Sequence, residues 1–140
     1  NSTLALQEAL SCGYDEALLL DAQGYVAEGS GENIFMVRDG KISTPVLTSA
    51  LNGITRDSVI QLADSMGMEV EERLITRDEL YVADEVFFTG SAAEVTPIRE
   101  YDTRVIGCGA RGPITGELQS GFFDIVYGRN DKFSNWLTYI

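Results

Sequence analysis

The spacing of apolar residues along the chain changes period several times, and each change marks an element. Residues 2–12 carry Leu6, Ala9 and Leu10 at helical spacing with Gly13 as a stop, which predicts a helix packed on that side. EALLLD at 16–21, a Gln23-Gly24 turn and YVAEGS at 25–30 predict two short strands. NIFMVRD at 33–39 alternates, with Ile34, Met36 and Arg38 on one face and Phe35 and Val37 on the other. Asp39-Gly40 is a hairpin signal, and KISTP carries the return strand until Pro45 ends it. The period then lengthens. Val59, Leu62, Ala63 and Met66 form one stripe of a helix from Thr55 to about Met66, with Gly67 as its C-terminal cap. MEVEERL at 68–74 reads as a strand with Met68 and Val70 inward and Glu69 and Glu71 facing water. Residues 76–82 predict a short helix, EVFFTG at 85–90 a buried strand running into a turn, and 93–106 one or two further strands. Thr115 is the expected cap of a last helix to Tyr127, with Leu118, Phe122, Ile125 and Val126 inward and Gly128 beyond. The tail, 129–140, holds the only tryptophan, Trp136, as a packing anchor. No linker, repeat or low-complexity stretch divides the chain, so residues 1–140 read as one domain. Strands and helices mix without a strict βαβ rhythm, which favours a mixed α/β or α+β fold over a doubly wound sheet.

Composition narrows the partners. With 44% apolar and 23% charged residues, 140 residues are enough for a buried core. A net charge of −12 leaves no basic stripe for nucleic acid and no attraction to an anionic membrane surface. A phosphate ligand stays open, because a cradle of N–H groups outweighs a distant charge once salt screens beyond ~8–10 Å. The chain has no histidine, which removes His-based triads, His metal sites and imidazole acid–base chemistry. Cys12 and Cys108 form no CxxC pair, and no signal peptide or long apolar run is visible. Two reduced thiols in a cytoplasmic protein, without a metal site, are the expectation.

Three segments carry candidate chemistry. In EGSGENIF (28–35) a carboxylate, Glu28, ends a strand among Gly29, Ser30 and Gly31, which allow close approach by another group. A strand-end glutamate is also commonly a surface or salt-bridged residue. Asn33 reads as a brace for the turn. In Leu51-Asn52-Gly53-Ile54-Thr55-Arg56 a helix start presents unpaired N–H groups and the positive end of its dipole, though a plain Thr-capped helix gives the same pattern. In Gly90-Ser91-Ala92 a turn of small residues follows a buried strand, and its N–H groups and the Ser91 hydroxyl can bind an anion or simply turn the chain. A carboxylate facing two anion cradles suits a ligand with a protonated ring at one end and a phosphate at the other. Pyridoxal 5′-phosphate is such a ligand, since its pyridine nitrogen needs an anion beside it to stay protonated. Two features do not fit further. GCGARG at 107–112 spells a dinucleotide fingerprint, but Pro113 follows at once and no second parallel strand comes after. Lys41 follows a hairpin turn and Lys132 lies in a polar tail, so neither is placed to hold a cofactor covalently.

In this order and spacing the motifs resemble the fold-type IV pyridoxal-phosphate aminotransferases, and among them the branched-chain amino acid aminotransferases. The resemblance covers nearly the whole chain through GYDEALLLD (13–21), EGSGENIF (28–35), GITRD (53–57), LYVADEVFFTGSAAEVTPI (80–98) and GPIT with FFDIVYGR (112–129). The 80–98 block and GPIT separate it from D-amino acid aminotransferases and aminodeoxychorismate lyases, which share the fold. The resemblance implies a mixed sheet or pseudo-barrel flanked by helices, forming the C-terminal cofactor-binding domain. It places Glu28 at the pyridine nitrogen and Leu51, Gly53, Ile54 and Thr55 in the phosphate cradle. Ser91 stands where the family has a phosphate-binding threonine, and the N–H groups of Ser91 and Ala92 at the substrate carboxylate. It implies transamination between branched-chain L-amino acids and 2-oxoglutarate in a homodimer. The family's catalytic lysine, a tyrosine after it and a smaller N-terminal domain would precede Asn1, so no catalytic residue is expected within the chain. A catalytically silent cofactor- or phosphate-binding or assembly domain is the alternative from another class, and a sibling aminodeoxychorismate lyase or D-amino acid aminotransferase of the same fold is the second.

Overall fold

The computed structural model describes residues 1–138; positions 139–140 of the tail lie outside the described residues. In chain order the elements are α1 (Ser2–Ser11), β1 (Leu18–Leu20), β2 (Val26–Gly29), β3 (Asn33–Arg38), β4 (Lys41–Pro45), α2 (Ile54–Ser65) and β5 (Val70–Arg73). They continue with α3 (Arg77–Tyr81), β6 (Glu85–Gly90), β7 (Glu94–Pro97), β8 (Glu100–Tyr101), β9 (Arg104–Val105), α4 (Pro113–Val126) and a 3-10 helix, Asp131–Trp136. The main sheet has the order β5-β4-β3-β6-β7 and is mixed: β4 and β5 are parallel, and every other neighbour is antiparallel. The parallel pair needs a crossover, and α2 supplies it. The β3–β4 hairpin turns at Asp39 (φ 51) and Gly40 (φ 75), the two left-handed positions that an Asp-Gly turn provides at least strain.

Strand β3 is the spine. Phe35 and Val37 face α2 and α4, whereas Ile34 and Met36 face the opposite layer of β1, β2, α3 and the β8–β9 hairpin. Residues 33–37 are all buried, because the sheet is covered on both sides. Phe35 and Phe87 stack across the β3–β6 pair at 5.0 Å with planes 1° apart, at the centre of the helix-side core with Val59, Leu62, Ala63, Leu118 and Ile125. Trp136 closes that core by packing on Phe133 at 4.5 Å.

Several expectations fail in instructive ways. No residue of α1 is buried, and Leu10 is 54% exposed, because the helix meets the body only along a groove beside β1. Met66 falls after the last turn of α2 and Val126 at the final residue of α4; both have rotated off the packed stripe and are exposed. Residues 93–106 form three short strands, not one or two. Thr115 does not cap α4. The helix begins earlier, with Gly112 as N-cap and Pro113 in the first turn, and the buried Thr115 hydroxyl has no partner among the described residues.

The cap comes from far along the chain. Glu85, 7% exposed on β6, accepts the N–H of Ile114 at 3.1 Å and of Thr115 at 2.7 Å. Pro113 has no N–H, and Gly116 donates to Gly112 at 2.9 Å, so the first-turn donors from Pro113 to Gly116 are accounted for. A Cβ on Gly112 would overlap the Glu85 carboxylate. This also disposes of the GCGARG fingerprint, since Glu85 stands where a pyrophosphate would bind.

A second acidic group braces the loop between β2 and β3. Glu32 Oε2 accepts the Gly31 N–H at 3.1 Å, and the Glu32 carbonyl accepts that of Gly29 at 2.6 Å. Glu16 reaches the same loop, its Oε1 accepting the N–H of Ala17 at 2.7 Å and of Ser30 at 3.3 Å. Burial, and then the neighbouring Glu16 carboxylate, push the Glu32 carboxyl above its ordinary value of 4.5, against the opposing Gly31 hydrogen bond.

Both carboxylates can be tested by substitution. Glu85→Ala leaves two helix-start donors unmatched and should lower unfolding free energy by about 3 kcal/mol in urea titration of the intact protein; a loss under about 1 kcal/mol would show that α4 does not depend on this cap. For Glu32 the folded-state value is raised, so the neutral form's contribution is present below pH 4.5 and is lost as pH rises through the raised value. Glu32→Gln should therefore match the wild type in stability near pH 4 and exceed it towards neutral pH, and a difference independent of pH would contradict this.

Candidate functional site

Three loops that are distant in sequence meet at one end of β3. The first is the β2–β3 connection. Glu28 is paired with Leu19 across β1–β2 and is half-buried, and the loop turns back through Gly29. A Cβ on Gly29 would lie 2.7 Å from Glu32 Oε2 and 2.9 Å from the Phe88 ring, so only glycine allows this closeness. The second is the 46–53 segment leading into α2, and the third is the turn after β6. Gly90 lies against the first loop: a Cβ there would be 3.2 Å from the Gly31 carbonyl and 3.4 Å from Glu32 Cγ.

The first and second loops are joined by hydrogen bonds. Leu51 donates its N–H to Glu28 Oε2 at 2.8 Å and accepts from Asn33 Nδ2 at 2.7 Å. Glu28 Oε1 makes no hydrogen bond among the described residues. Asn33 is 6% exposed and lies opposite Thr89 in the β3–β6 ladder, and the Thr89 hydroxyl is buried without a partner among the described residues.

At the end of the second loop, α2 starts open. Its N-cap is Gly53, with extended backbone (φ −73, ψ 140) and no side-chain cap; the first helical bond is Asp57 N–H to the Gly53 carbonyl at 3.0 Å. Thr55 is therefore in the first turn and not the cap. The N–H groups of Ile54, Thr55 and Arg56 have no acceptor among the described residues. The Ile54 side chain is 84% exposed and that of Leu51 74%, so neither shields these donors, while Thr55 is buried. Arg56, 3% exposed, fixes the helix start from beneath by donating to the Pro45 carbonyl at 3.1 Å and pairing with Glu72.

Glu28, Leu51, Gly53 and the α2 start thus form one cluster. Ser91 and Ala92 are exposed on the third loop, which touches the cluster through Gly90 and not through their own side chains. The two lysines lie elsewhere. Lys41 pairs with Arg38 at the opposite end of β3 from Asn33, about 17 Å along the strand at ~3.4 Å per residue. Lys132 lines a cleft with Asp64 and Gly67 at the far end of α2. A groove of about 670 Å³ between α1 and the outer face of the sheet includes none of Glu28, Leu51, Gly53, Thr55 or Ser91. Sequence reading missed Arg56 and Glu32 as supports, and gave Asn33 only as a turn brace. Arginine and glutamate flanking a glycine-rich turn were visible, but their partners were not.

The cluster brings together a carboxylate oxygen without a hydrogen bond, a row of helix-start N–H groups without acceptors, and glycine backbone between them, among the described residues. Comparison with known proteins gives the same family. The family model of amino-transferase class IV matches residues 1–101. The branched-chain-amino-acid aminotransferase of Pseudomonas aeruginosa is 59% identical over 140 residues, all of this chain and 46% of that protein. A branched-chain amino acid aminotransferase of T.th., solved with N-(5'-phosphopyridoxyl)-L-glutamate, is 54% identical with a TM-score of 0.97 over 99% of this chain and 47% of its own. The enzyme of Thermoproteus uzoniensis, solved with norvaline, is 51% identical with a TM-score of 0.94 over 98% of this chain and 46% of its own. The chain spans about half the length of the relatives it matches, and over that span it belongs to the class IV aminotransferases.

Proposed function

We propose that this chain is the cofactor-binding domain of a pyridoxal-phosphate-dependent branched-chain amino acid aminotransferase, with 2-oxoglutarate as amino acceptor. The observation that carries the reading is the pairing of the Glu28 carboxylate with the open α2 start through the Leu51 peptide. Leu51 and Ile54 are three residues apart in the chain, so their N–H groups lie within about 11 Å of each other, and the Glu28 carboxylate is 2.8 Å from the first of them, a reach that can accommodate one phosphorylated pyridine. The names of the relatives, and the phosphopyridoxyl ligand in one of their structures, support the cofactor and the substrate class.

The residues fit the group. When bound, pyridoxal 5′-phosphate supplies a protonated ring that withdraws electrons from the substrate α-carbon. Glu28 Oε2 is already held by the Leu51 N–H, which leaves Oε1 to accept the ring N–H and keep it protonated. Ile54 and Thr55 would donate their N–H groups to the phosphate in the field of the helix dipole, and Gly53 would let the phosphate approach. The Ser91 hydroxyl would add a donor to the phosphate, and the N–H groups of Ser91 and Ala92 would receive the substrate carboxylate. The covalent anchor and proton carrier would be a lysine outside residues 1–140, because Lys41 and Lys132 lie at the wrong ends of β3 and α2. Its smaller partner domain, and a second copy across a homodimer interface, complete the site in this reading, and a cytoplasmic enzyme is the fitting setting.

The substrate class is tested on the intact protein with 2-oxoglutarate and a panel of leucine, isoleucine, valine, D-alanine and aminodeoxychorismate. Turnover of the three branched-chain acids is the expected result, and activity on D-alanine or aminodeoxychorismate alone would replace the reading with a sibling one. Glu28→Gln keeps an acceptor for Leu51 but removes the charge, so kcat should fall about a hundredfold with little change in melting temperature. Borohydride reduction of the holoenzyme should label neither Lys41 nor Lys132 by mass spectrometry; a label on either would overturn their exclusion.

A further inference from the structure

We propose that Asn33 is the positioning residue that sets the distance between the Glu28 carboxylate and the N-terminus of α2, by gripping the 51–53 loop from both sides of its amide. The proposal rests on the cofactor reading above and gives it a mechanical part.

The geometry isolates Asn33 in this role. It begins β3, opposite Thr89 of β6, and is 6% exposed, so its backbone belongs to the rigid centre of the sheet. Its Nδ2 donates to the Leu51 carbonyl at 2.7 Å. The N–H of the same Leu51 is taken by Glu28 at 2.8 Å. One residue is thereby held through both of its backbone polar groups, by two side chains from neighbouring strands. The other side of the Asn33 amide works by contact. Its Oδ1 lies so close to Gly53 that any Cβ there would overlap it. Gly53 is the N-cap of α2, with an ordinary extended backbone (φ −73). Its glycine is required for approach to Asn33 and not for a left-handed turn.

Asn33 therefore fixes two points of the loop at once: Leu51, which is tied to the carboxylate, and Gly53, from which the helix starts. Apart from Glu28 and Asn33, no side chain among the described residues bonds to Leu51 or Asn52; the loop residues from Leu47 to Asn52 are largely exposed and have no strand pairing. Removing the amide leaves Glu28 and the helix start each intact but frees the spacing between them. A ligand that needs only one end should then bind much as before, and a ligand that needs both should lose affinity.

The test uses the intact protein, stripped of cofactor, with pyridoxal 5′-phosphate and unphosphorylated pyridoxal as probes, read by absorbance titration. Asn33→Ala should weaken pyridoxal 5′-phosphate by about tenfold or more, the scale of one lost hydrogen bond, while pyridoxal changes less than about threefold. Asn33→Asp keeps the shape, removes the donor to Leu51, and should reproduce the loss. Gly53→Ala approaches the same contact from the exposed loop and remains informative if the Asn33 variants fold poorly; it should also weaken pyridoxal 5′-phosphate selectively. Its effect should shrink in the Asn33→Ala background, where the obstructing oxygen is gone. Equal losses for both probes, unchanged binding in soluble folded variants, or strictly additive effects of the Asn33 and Gly53 changes would overturn the proposal while leaving the cofactor reading in place. Failure of the unaltered protein to bind pyridoxal 5′-phosphate would overturn both.

Discussion

The Leu51 peptide is the joint on which the candidate site depends. A short exposed loop has little to hold it: Leu47, Thr48, Ser49, Leu51 and Asn52 are all exposed, and such segments sample many conformations unless their backbone groups find partners. Here the N–H and C=O of one residue are both taken, by Glu28 and Asn33. Each bond alone stabilises by roughly 1 kcal/mol, more where the acceptor is charged. Together they do what neither does singly. They tie the loop to two successive elements of the sheet side, so that the start of α2 inherits the rigidity of β3.

The two long helices of the core show what that arrangement is for. Both α2 and α4 pack on the same face of the sheet, and both start at a glycine with extended backbone and no side-chain cap of its own. At α4 the problem of free N–H groups is solved internally by Glu85, with Pro113 removing one donor. At α2 it is left unsolved, and the N–H groups of Ile54, Thr55 and Arg56 have no acceptor among the described residues. In the proposed reading, the open helix start beside the half-buried Glu28 is completed by a bound anion.

How much of this was legible depends on sequence distance. Local signals read true: the Asp39-Gly40 hairpin, the alternation of β3, the glycine after α2, and the position of Glu28 at the end of its strand all follow from chemistry within a few residues. Where the decisive partner is distant, the reading fails. Thr115 looked like a cap because nothing nearby competes with it, yet the carboxylate that caps α4 belongs to Glu85, on a central strand. Asn33 looked like a turn brace because its contacts with Leu51 and Gly53 cross an entire hairpin. Leu10 and Val126 looked buried because helical periodicity says which side is apolar but not how far the neighbouring layer extends.

The glycines make the same point from the other direction. Gly53, Gly90 and Gly112 are not left-handed; their φ angles do not demand glycine. At Gly53 and Gly112 a side chain from a distant element, Asn33 or Glu85, occupies the space of a Cβ, and at Gly90 a Cβ would come within a tight 3.2 Å of the Gly31 carbonyl. Gly40 and Gly67, with φ near 75, are the opposite case, open to solvent and needed for the turn itself. The first set clusters at the site and at the capped helix, the second at the hairpin and the helix stop. Sequence shows one letter for both. Space and backbone angle separate them, and at the site it is closeness, and not flexibility, that the glycines supply. The candidate site built this way has short loops held close to the end of β3.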